Sequence, residues 1–437
     1  MSPLRIVAAC LLLSSACGDT GAAGETESGS SSATSATGEA ATGEAPTTGA
    51  PVDPDAVTYY EHVRPILAAH CVACHTAGGI GPLALDSYAA AAPFAGLIAA
   101  VTGSRQMPPY PADASGACGE FRDARWLADD ELTTLADWAA QGALAGDASI
   151  APPEVPPLPR LTGDVRTAAM PTAYVPSASM PDDYRCFVVD SPAVGDSFIT
   201  GFDVRPGDAR IVHHVVVFTP NTPEAASAAE ALDAAEAGPG YTCFGASGVD
   251  AEVAAAWAPG GGATRFPAGT GVALRPGKLI LQLHYNTAAA VGVPDQTAVD
   301  LEIVTDGVEQ LRFVGLVDQD LSLPPGLPEA EAGFTTPTTD DVATVSIHGV
   351  FPHMHTIGRT LRMVAHEPGG DRCMLDVPRW DFHWQLFYFY EQPLEFDPSY
   401  PATLRCTYDT TGREQTTVFG EGTMDEMCVL GLWVTGV

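Results

Sequence analysis

Short strand-like runs from about residue 170 to the end constrain the fold more than any other feature of the sequence. The runs are apolar or alternating, and prolines, glycines and aspartates separate them. This pattern is typical of antiparallel sandwiches or jelly rolls. A sandwich needs about 100 residues, so we expect two all-β sandwich domains, at 170–308 and 309–437, divided within 308–325. The predicted strands are 197–204, 210–219, 277–285, 300–303, 343–350, 360–365, 402–408 and 427–434.

The first part of the chain has a different organisation. Residues 56–148 contain helix-like runs at 59–70 and 129–142, which predict a small all-α domain. A proline-rich linker is expected at 149–169. Residues 18–55 hold almost only Gly, Ala, Ser, Thr, Glu and Pro, and we expect a disordered acidic tether there. The predicted protein is therefore multidomain.

Residues 1–17 have the layout of a signal peptide. Arg5 is basic, an apolar run follows, and small residues lead to Cys17. The segment also resembles a bacterial lipobox, although Ser14 stands where a leucine is usual. Both lipidation of Cys17 and ordinary cleavage near Ala16 remain open. We expect export to the periplasm or cell surface, and any membrane attachment would go through Cys17 alone.

The charge balance excludes polyanionic partners. The chain has 54 acidic and 20 basic residues and a formal charge of −34. Nucleic acid and anionic membranes would repel it.

Cys71, Cys74 and His75 form a CxxCH motif at the end of a predicted helix. Two such cysteines bind haem c through thioethers, and the histidine is an axial iron ligand. Met107, followed by two prolines, is the expected sixth ligand, at a spacing that resembles small class I cytochromes c. The alternatives are a disulfide or half a zinc site for the motif, and a core position for Met107.

Three histidines lie in two predicted strands of the first sandwich. His213 and His214 are adjacent, and adjacent residues on a strand face opposite ways unless a bulge or twist intervenes. His284 lies in the second strand. On its own, His284 is more typical of a hydrogen-bonded core residue than of a ligand. An unpaired imidazole among these apolar strands would be costly.

A second set lies in the other sandwich. His353 and His355 are two residues apart, so on a strand both rings point to one face. The pair alone is as typical of an ordinary zinc or structural pair as of a copper site. Met427 near the C-terminus would add a thioether, which favours Cu(I) over Zn(II).

The order of these pieces resembles the copper type II, ascorbate-dependent monooxygenases, the group of peptidylglycine α-hydroxylating monooxygenase and dopamine β-hydroxylase. The similar runs cover much of 180–437. The first is His213-His214. The second begins at Ala256-Trp257, includes Pro267 and ends at Gln282-Leu-His284-Tyr285. The third is His353-x-His355 with Ile357-Gly358-Arg359, and the fourth runs from Cys406-Thr-Tyr to Glu426-Met427-Cys428.

The resemblance implies two copper ions, one in each sandwich, across an open cleft. Carried over by position, His213, His214 and His284 would hold the electron-transfer copper. The catalytic, oxygen-binding copper would lie on His353, His355 and Met427. Cys406 and Cys428 would form a disulfide. The implied activity is hydroxylation of a substrate C–H bond with O2, with ascorbate or a redox partner protein as external reductant.

Three positions depart from the peptide-amidating members of that family. Phe351 stands where they have a substrate-binding arginine, and Val429 and Gly431 replace an asparagine and a tyrosine. We therefore expect an apolar small organic substrate rather than a glycine-terminated peptide. The fused haem c domain would supply the electrons.

Two other functions remain open. One is a non-catalytic haem c electron-transfer protein with a metal-binding sandwich, and the other is a zinc-stabilised adhesion domain. The pairing of four further cysteines is also open: Cys118, Cys186, Cys243 and Cys373. His62 and His70 are expected at the surface. Three further histidines have no assigned role and are expected at the surface or beside a ligand: His348, His366 and His383.

Overall fold

The computed structural model describes residues 56–436 apart from 80, 154–158, 180–181, 244, 260–261, 340–342 and 421–424. The predicted signal peptide and acidic tether lie outside the described residues. Within the described part, no helix has the length and apolar character needed to cross a membrane.

The first described segment is helical and has its own apolar core. Tyr59, Leu135 and Trp138 are almost fully buried at its centre. The last helix starts where the Glu131 carboxylate accepts the Ala128 N–H at 2.8 Å. Helices predicted at 59–70 and 129–142 are confirmed. The elements are a π-helical turn at Tyr59–Val63, a 3-10 turn at Ala92–Phe94, and α1 Arg64–His70, α2 Tyr88–Ala91, α3 Ala95–Gly103 and α4 Asp129–Ala140.

The remainder is built from strands, as predicted. They are β1 Asp164–Ala169, β2 Asp182–Asp190, β3 Ser197–Arg205, β4 Val212–Pro220, β5 Tyr241–Thr242, β6 Ala251–Trp257, β7 Thr264–Arg265, β8 Thr270–Leu274, β9 Lys278–Asn286, β10 Ala298–Val304, β11 Glu309–Val317, β12 Ser322–Leu323, β13 Ala330–Thr335, β14 Val345–His353, β15 Gly358–Glu367, β16 Gly370–Val377, β17 Tyr388–Phe396, β18 Ala402–Tyr408, β19 Thr417–Val418 and β20 Val429–Thr435. One helix, α5 Pro223–Ala235, was not predicted. Its alanine-rich sequence lacks a strong apolar stripe.

One nine-stranded sheet runs through both sandwiches, in the order β1-β10-β3-β8-β11-β20-β14-β17, with β7 beside β3. The first sandwich adds the sheet β5-β2-β9-β4-β6, and the second adds β13-β18-β15-β16. Strand β11 pairs with β8 on one side and with β20 on the other. The predicted division at 308/309 therefore falls at the start of a shared strand, where the sheet is continuous.

The proline-rich linker is shorter than we expected. Strand β1 lies inside the predicted range 149–169 and pairs with β10 at the edge of the first sandwich. Proline enrichment ends at Pro159, and β1 begins at Asp164. Residues 164–169 consequently belong to the first sandwich.

Three disulfides connect the described residues. Cys406–Cys428, which the resemblance implied, is present. Cys186–Cys243 lies within the first sandwich. Cys118–Cys373 joins the loop before α4 to the second sandwich. Cys71 and Cys74 are not bonded to each other.

The loop between α3 and α4 packs on the second sandwich. The Phe121 ring stacks on Tyr390 with centroids 4.9 Å apart, and Tyr110 meets Tyr388 edge-on at 5.1 Å. All four rings are nearly fully buried. Together with the Cys118 disulfide, these contacts hold the helical segment against the β-structure.

Candidate metal centres

The first histidine cluster forms where β4 lies beside β9. His214 pairs directly with His284, and the register of β4 shifts between Val212 and His214. This β-bulge turns His213 to the same side as its neighbour, which regular alternation would forbid. One ring nitrogen from each of the three histidines lies within 4.8 Å of the others. The structure thus brings the three predicted ligands together.

Hydrogen bonds orient the rings of this cluster. The Asp182 carboxylate accepts the Nε2–H of His284 at 2.8 Å, which leaves the His284 Nδ1 lone pair free. That Nδ1 lies 3.3 Å from Nδ1 of His214. The Tyr184 ring stacks on His284 at 4.1 Å. Carboxylate–histidine pairs of this kind fix the tautomer of metal-binding imidazoles.

Burial keeps these imidazoles neutral. It lowers the pKa of His213 to about 3, with further lowering by His284 and His383. Burial also lowers the pKa values of His214 and His284, although the Asp182 hydrogen bond opposes it at His284. Nδ1 of His213 is buried without a hydrogen-bond partner among the described residues. Neutral, convergent rings and an unpaired buried nitrogen fit a metal ion, and an all-imidazole set suits copper.

The second cluster starts at the end of β14. His353 is the last residue of that strand, and its Nδ1–H donates to Oε1 of Gln385 at 2.6 Å. His355 lies just beyond, and its Nδ1–H donates to the main-chain oxygen of Asp425 at 3.1 Å. The Gln385 contact therefore leaves Nε2 of His353 for a ligand. Burial, followed by the His355 charge, lowers the pKa of His353 to about 4.

Met427 lies beside the second cluster. Val429 of β20 pairs with His353, and Met427 lies two residues before Val429 on the chain. Glu426 fixes this arrangement, because its carboxylate accepts main-chain N–H groups of His355 at 2.9 Å and Ile357 at 3.0 Å. Met427 is 7% exposed. Two imidazoles with a thioether fit Cu(I).

A single cleft reaches both clusters. His214 lines it on one side, and His353 and His355 line it on the other. Its volume is about 790 Å³ with the open mouth included. No Asp, Glu, Lys or Arg side chain lines the cleft among the described residues. The buried indole N–H of Trp257, which also lines it, has no described hydrogen-bond partner.

The CxxCH residues lie in the helical segment. Cys71 follows α1, and both thiols are half-buried. Nδ1–H of His75 donates to the main-chain oxygen of Leu83 at 2.9 Å, which leaves Nε2 for a ligand. Met107 lines a narrow crevice with Arg105 and Trp126. Unbonded cysteines and an oriented histidine fit a covalently attached haem.

Sequence reasoning missed the residues that orient the ligands. These are Asp182, Gln385 and Glu426. Asp182 and Gln385 lie outside the runs that resemble the family, and Glu426 lies in one of them without an assigned role. Asp182 lies two residues before Tyr184, which pairs with His284, so only the sheet register brings it near the ring. Only one sequence feature could have pointed to Glu426 as an orienting residue, namely its position next to Met427.

The fold and these clusters define a class of protein: paired β-sandwiches that carry one copper-type ligand set each. The family models agree. The copper type II ascorbate-dependent monooxygenase N-terminal domain matches residues 167–291. The C-terminal domain of the same family matches residues 314–433. Together they span more than half of the chain, which belongs to this family.

Curated relatives are similar at low identity. DBH-like monooxygenase protein 1 of Gallus gallus is 26% identical over 194 residues, covering 40% of this chain and 31% of that protein. The Homo sapiens protein of that name is 24% identical over 251 residues, covering 52% and 39%. Dopamine beta-hydroxylase of Bos taurus is 26% identical over 299 residues, covering 62% and 47%. The chain thus spans less than half the length of these relatives.

Among solved structures, the major capsid protein P2 of bacteriophage PM2 is similar with a TM-score of 0.27 and 11% identity. The match covers 62% of this chain and 97% of that one. Such a score supports no inference.

Proposed function

We propose that the protein is a two-copper monooxygenase that hydroxylates a C–H bond of a neutral, mainly apolar small molecule. The observation that carries the proposal is the cleft shared by the two histidine clusters. A substrate in it would lie beside the second cluster and within reach of the first. The balanced reaction takes substrate, O2, two electrons and two protons to the alcohol and water.

The residues of the chain have separate tasks in this reaction. His213, His214 and His284 would hold the electron-transfer copper, and Asp182 keeps the His284 tautomer fixed. His353, His355 and Met427 would hold the catalytic copper. Copper at these sites would supply one-electron redox chemistry and dioxygen activation. The cleft walls beside the reacting C–H bond would be mainly apolar.

The proposed substrate class follows from the cleft walls. Phe351, Phe382 and Phe387 line the side near His353, and no described charged side chain is present to pair with a charged substrate. A charge buried there without a partner would be unfavourable.

Phe351→Arg tests this substrate class, with Phe351→Leu as the control. The arginine would place a cation beside the second cluster and shift binding from neutral ligands to carboxylates. Phe351→Leu would keep the preference for neutral ligands. Binding of matched aryl ketone and aryl carboxylate probes to the copper-loaded protein measures the shift. Carboxylate preference in the parent protein would contradict the proposal.

We also propose that the helical segment carries haem c and passes electrons to the copper sites. Cys71 and Cys74 would form the thioethers, and His75 and Met107 would be the axial ligands. The Cys118–Cys373 disulfide and the buried tyrosine contacts support this role, because tethering raises the effective concentration of a donor. Ascorbate or a redox partner protein would reduce the haem.

We further propose that the protein is exported to the periplasm or cell surface. Three disulfides among the described residues support an oxidising compartment. The exported protein would then be either attached through a lipid on Cys17 or released after cleavage. Metabolic labelling with a fatty acid distinguishes the two.

Metal content per haem tests the central proposal. We expect two coppers per haem in the parent protein, and one in each of Met427→Ile and His213→Ala. Substrate-dependent O2 uptake should follow. Zinc in place of copper, or copper without O2 uptake on any neutral substrate, would contradict the enzyme and favour a haem electron-transfer protein with a metal-binding module.

A further inference from the structure

Two consecutive residues contact one histidine of each cluster. The Trp384 ring lies 5.5 Å from the His213 ring, measured between centroids. Oε1 of Gln385, the next residue, lies 2.6 Å from Nδ1 of His353. A single peptide unit thus connects the first cluster to the second across the cleft.

The segment that carries these residues is held in place by its own hydrogen bonds. The Trp384 N–H donates to the main-chain oxygen of Asp381 at 3.0 Å. Nε2 of Gln385 donates to the main-chain oxygen of Phe382 at 3.0 Å. This second bond fixes the amide so that its oxygen faces His353. Trp380, just before the segment, is buried.

Only two non-covalent steps interrupt the route from His213 to His353. One is the ring contact with Trp384, and the other is the hydrogen bond from His353 to Gln385. Electron tunnelling falls off more steeply across open space than along covalent and hydrogen bonds. A route through these two residues would therefore compete well with one through solvent in the cleft.

We propose that Trp384 and Gln385 form a protein relay for the electron that passes between the two copper sites. The inference rests on the proposed two-copper function. In each transfer, copper at the first site would go from Cu(I) to Cu(II), and copper at the second site would gain that one electron. The relay makes and breaks no bond. Trp384 and Gln385 act as positioning residues, since they reach the metals only through histidines.

His383 provides a matched control. Its ring lies 5.8 Å from His213, close to the distance of Trp384, but it is exposed and one residue farther from Gln385. His383→Ala changes the surroundings of the same imidazole without changing Trp384 or Gln385, so it should slow the transfer less than Trp384→Leu does. Trp384→Leu removes the ring, whereas Trp384→Phe keeps an aromatic contact.

The experiment measures transfer between the sites without substrate. Fully reduced, copper-loaded protein is treated with carbon monoxide, which binds Cu(I) with an open position, and ferricyanide then oxidises the unprotected copper. A light flash releases the carbon monoxide, and the electron redistributes to the Cu(II) site. Infrared absorption of bound carbon monoxide records the slow rebinding phase that follows transfer. Electron paramagnetic resonance before the flash checks both sites in each variant.

We expect Trp384→Leu to slow transfer by an order of magnitude or more, with Trp384→Phe between that variant and the parent. An unchanged rate in Trp384→Leu would overturn the relay. So would a parent protein that binds copper and carbon monoxide but shows no transfer. If the parent protein takes up no copper, the proposed function is refuted rather than the relay. The copper assay, done before the flash experiment, separates these two outcomes.

Discussion

The indole N–H of Trp380 donates a 3.0 Å hydrogen bond to the main-chain oxygen of His355. The preceding residue, Arg379, donates from its guanidinium to the main-chain oxygen of Arg105 in the helical segment. Arg105 lies two residues before Met107. The backbone of a proposed copper ligand is therefore connected to the backbone near a proposed iron ligand by two hydrogen bonds.

The carboxylate that orients His284 should control copper affinity at the first cluster. Asp182→Ala removes the acceptor of the Nε2–H, and loss of such a partner typically weakens metal binding by about 10- to 100-fold. The second cluster should be unaffected. Competition with a copper chelator measures both affinities. Asp190→Ala, at the exposed far end of the same strand, is the control, and an equal loss there would contradict the assignment.

Glu426 should be needed for the second cluster and for stability. Glu426→Ala leaves the buried N–H groups of His355 and Ile357 without their acceptor, which costs about 1–3 kcal/mol for each buried group. We expect a lower free energy of unfolding in urea and loss of one copper, with the first cluster retained. Glu329→Ala, at an exposed position, should change neither quantity. Full copper content in Glu426→Ala would refute this role.

Met107 should tune the potential of the proposed haem. A methionine ligand raises the reduction potential of haem iron, so Met107→Ala should lower the potential and change the absorption spectrum. The thioethers from Cys71 and Cys74 should keep the haem attached in that variant. A spectroelectrochemical titration measures the potential. Replacement of both cysteines by serine should abolish covalent haem, and its persistence would contradict the motif assignment.

The Cys118–Cys373 disulfide should stabilise the docked arrangement. Its residues lie 255 positions apart, so it closes a long loop in the unfolded chain. We expect the double serine variant to lose about 2–4 kcal/mol of unfolding free energy. Copper content should not change, because neither residue lies at a histidine cluster. Denaturant unfolding and metal analysis provide the readouts, and loss of copper would show that docking organises the second cluster.

Much of the fold could be predicted from local pattern. Alternating apolar runs predicted the sandwiches, and the helical periodicity at 129–142 predicted α4. The family resemblance, rather than any spacing, implied Cys406–Cys428, which the structure contains. The shared strand β11 could not be predicted, because its pairing partners β8 and β20 lie far apart along the chain. The linker boundary was wrong by one strand for the same reason.

By itself, the sequence determined the kinds of side chain available: three histidines in two strands, a second pair with a methionine, and a CxxCH motif. These are local properties of residue type and spacing. Only the tertiary structure decided which groups orient them. The bulge at His213, the Asp182 carboxylate, the Gln385 amide and the Trp384 ring reach the clusters through register and loop packing. Such contacts depend on which distant strands and loops pack together, and short-range sequence patterns do not show this.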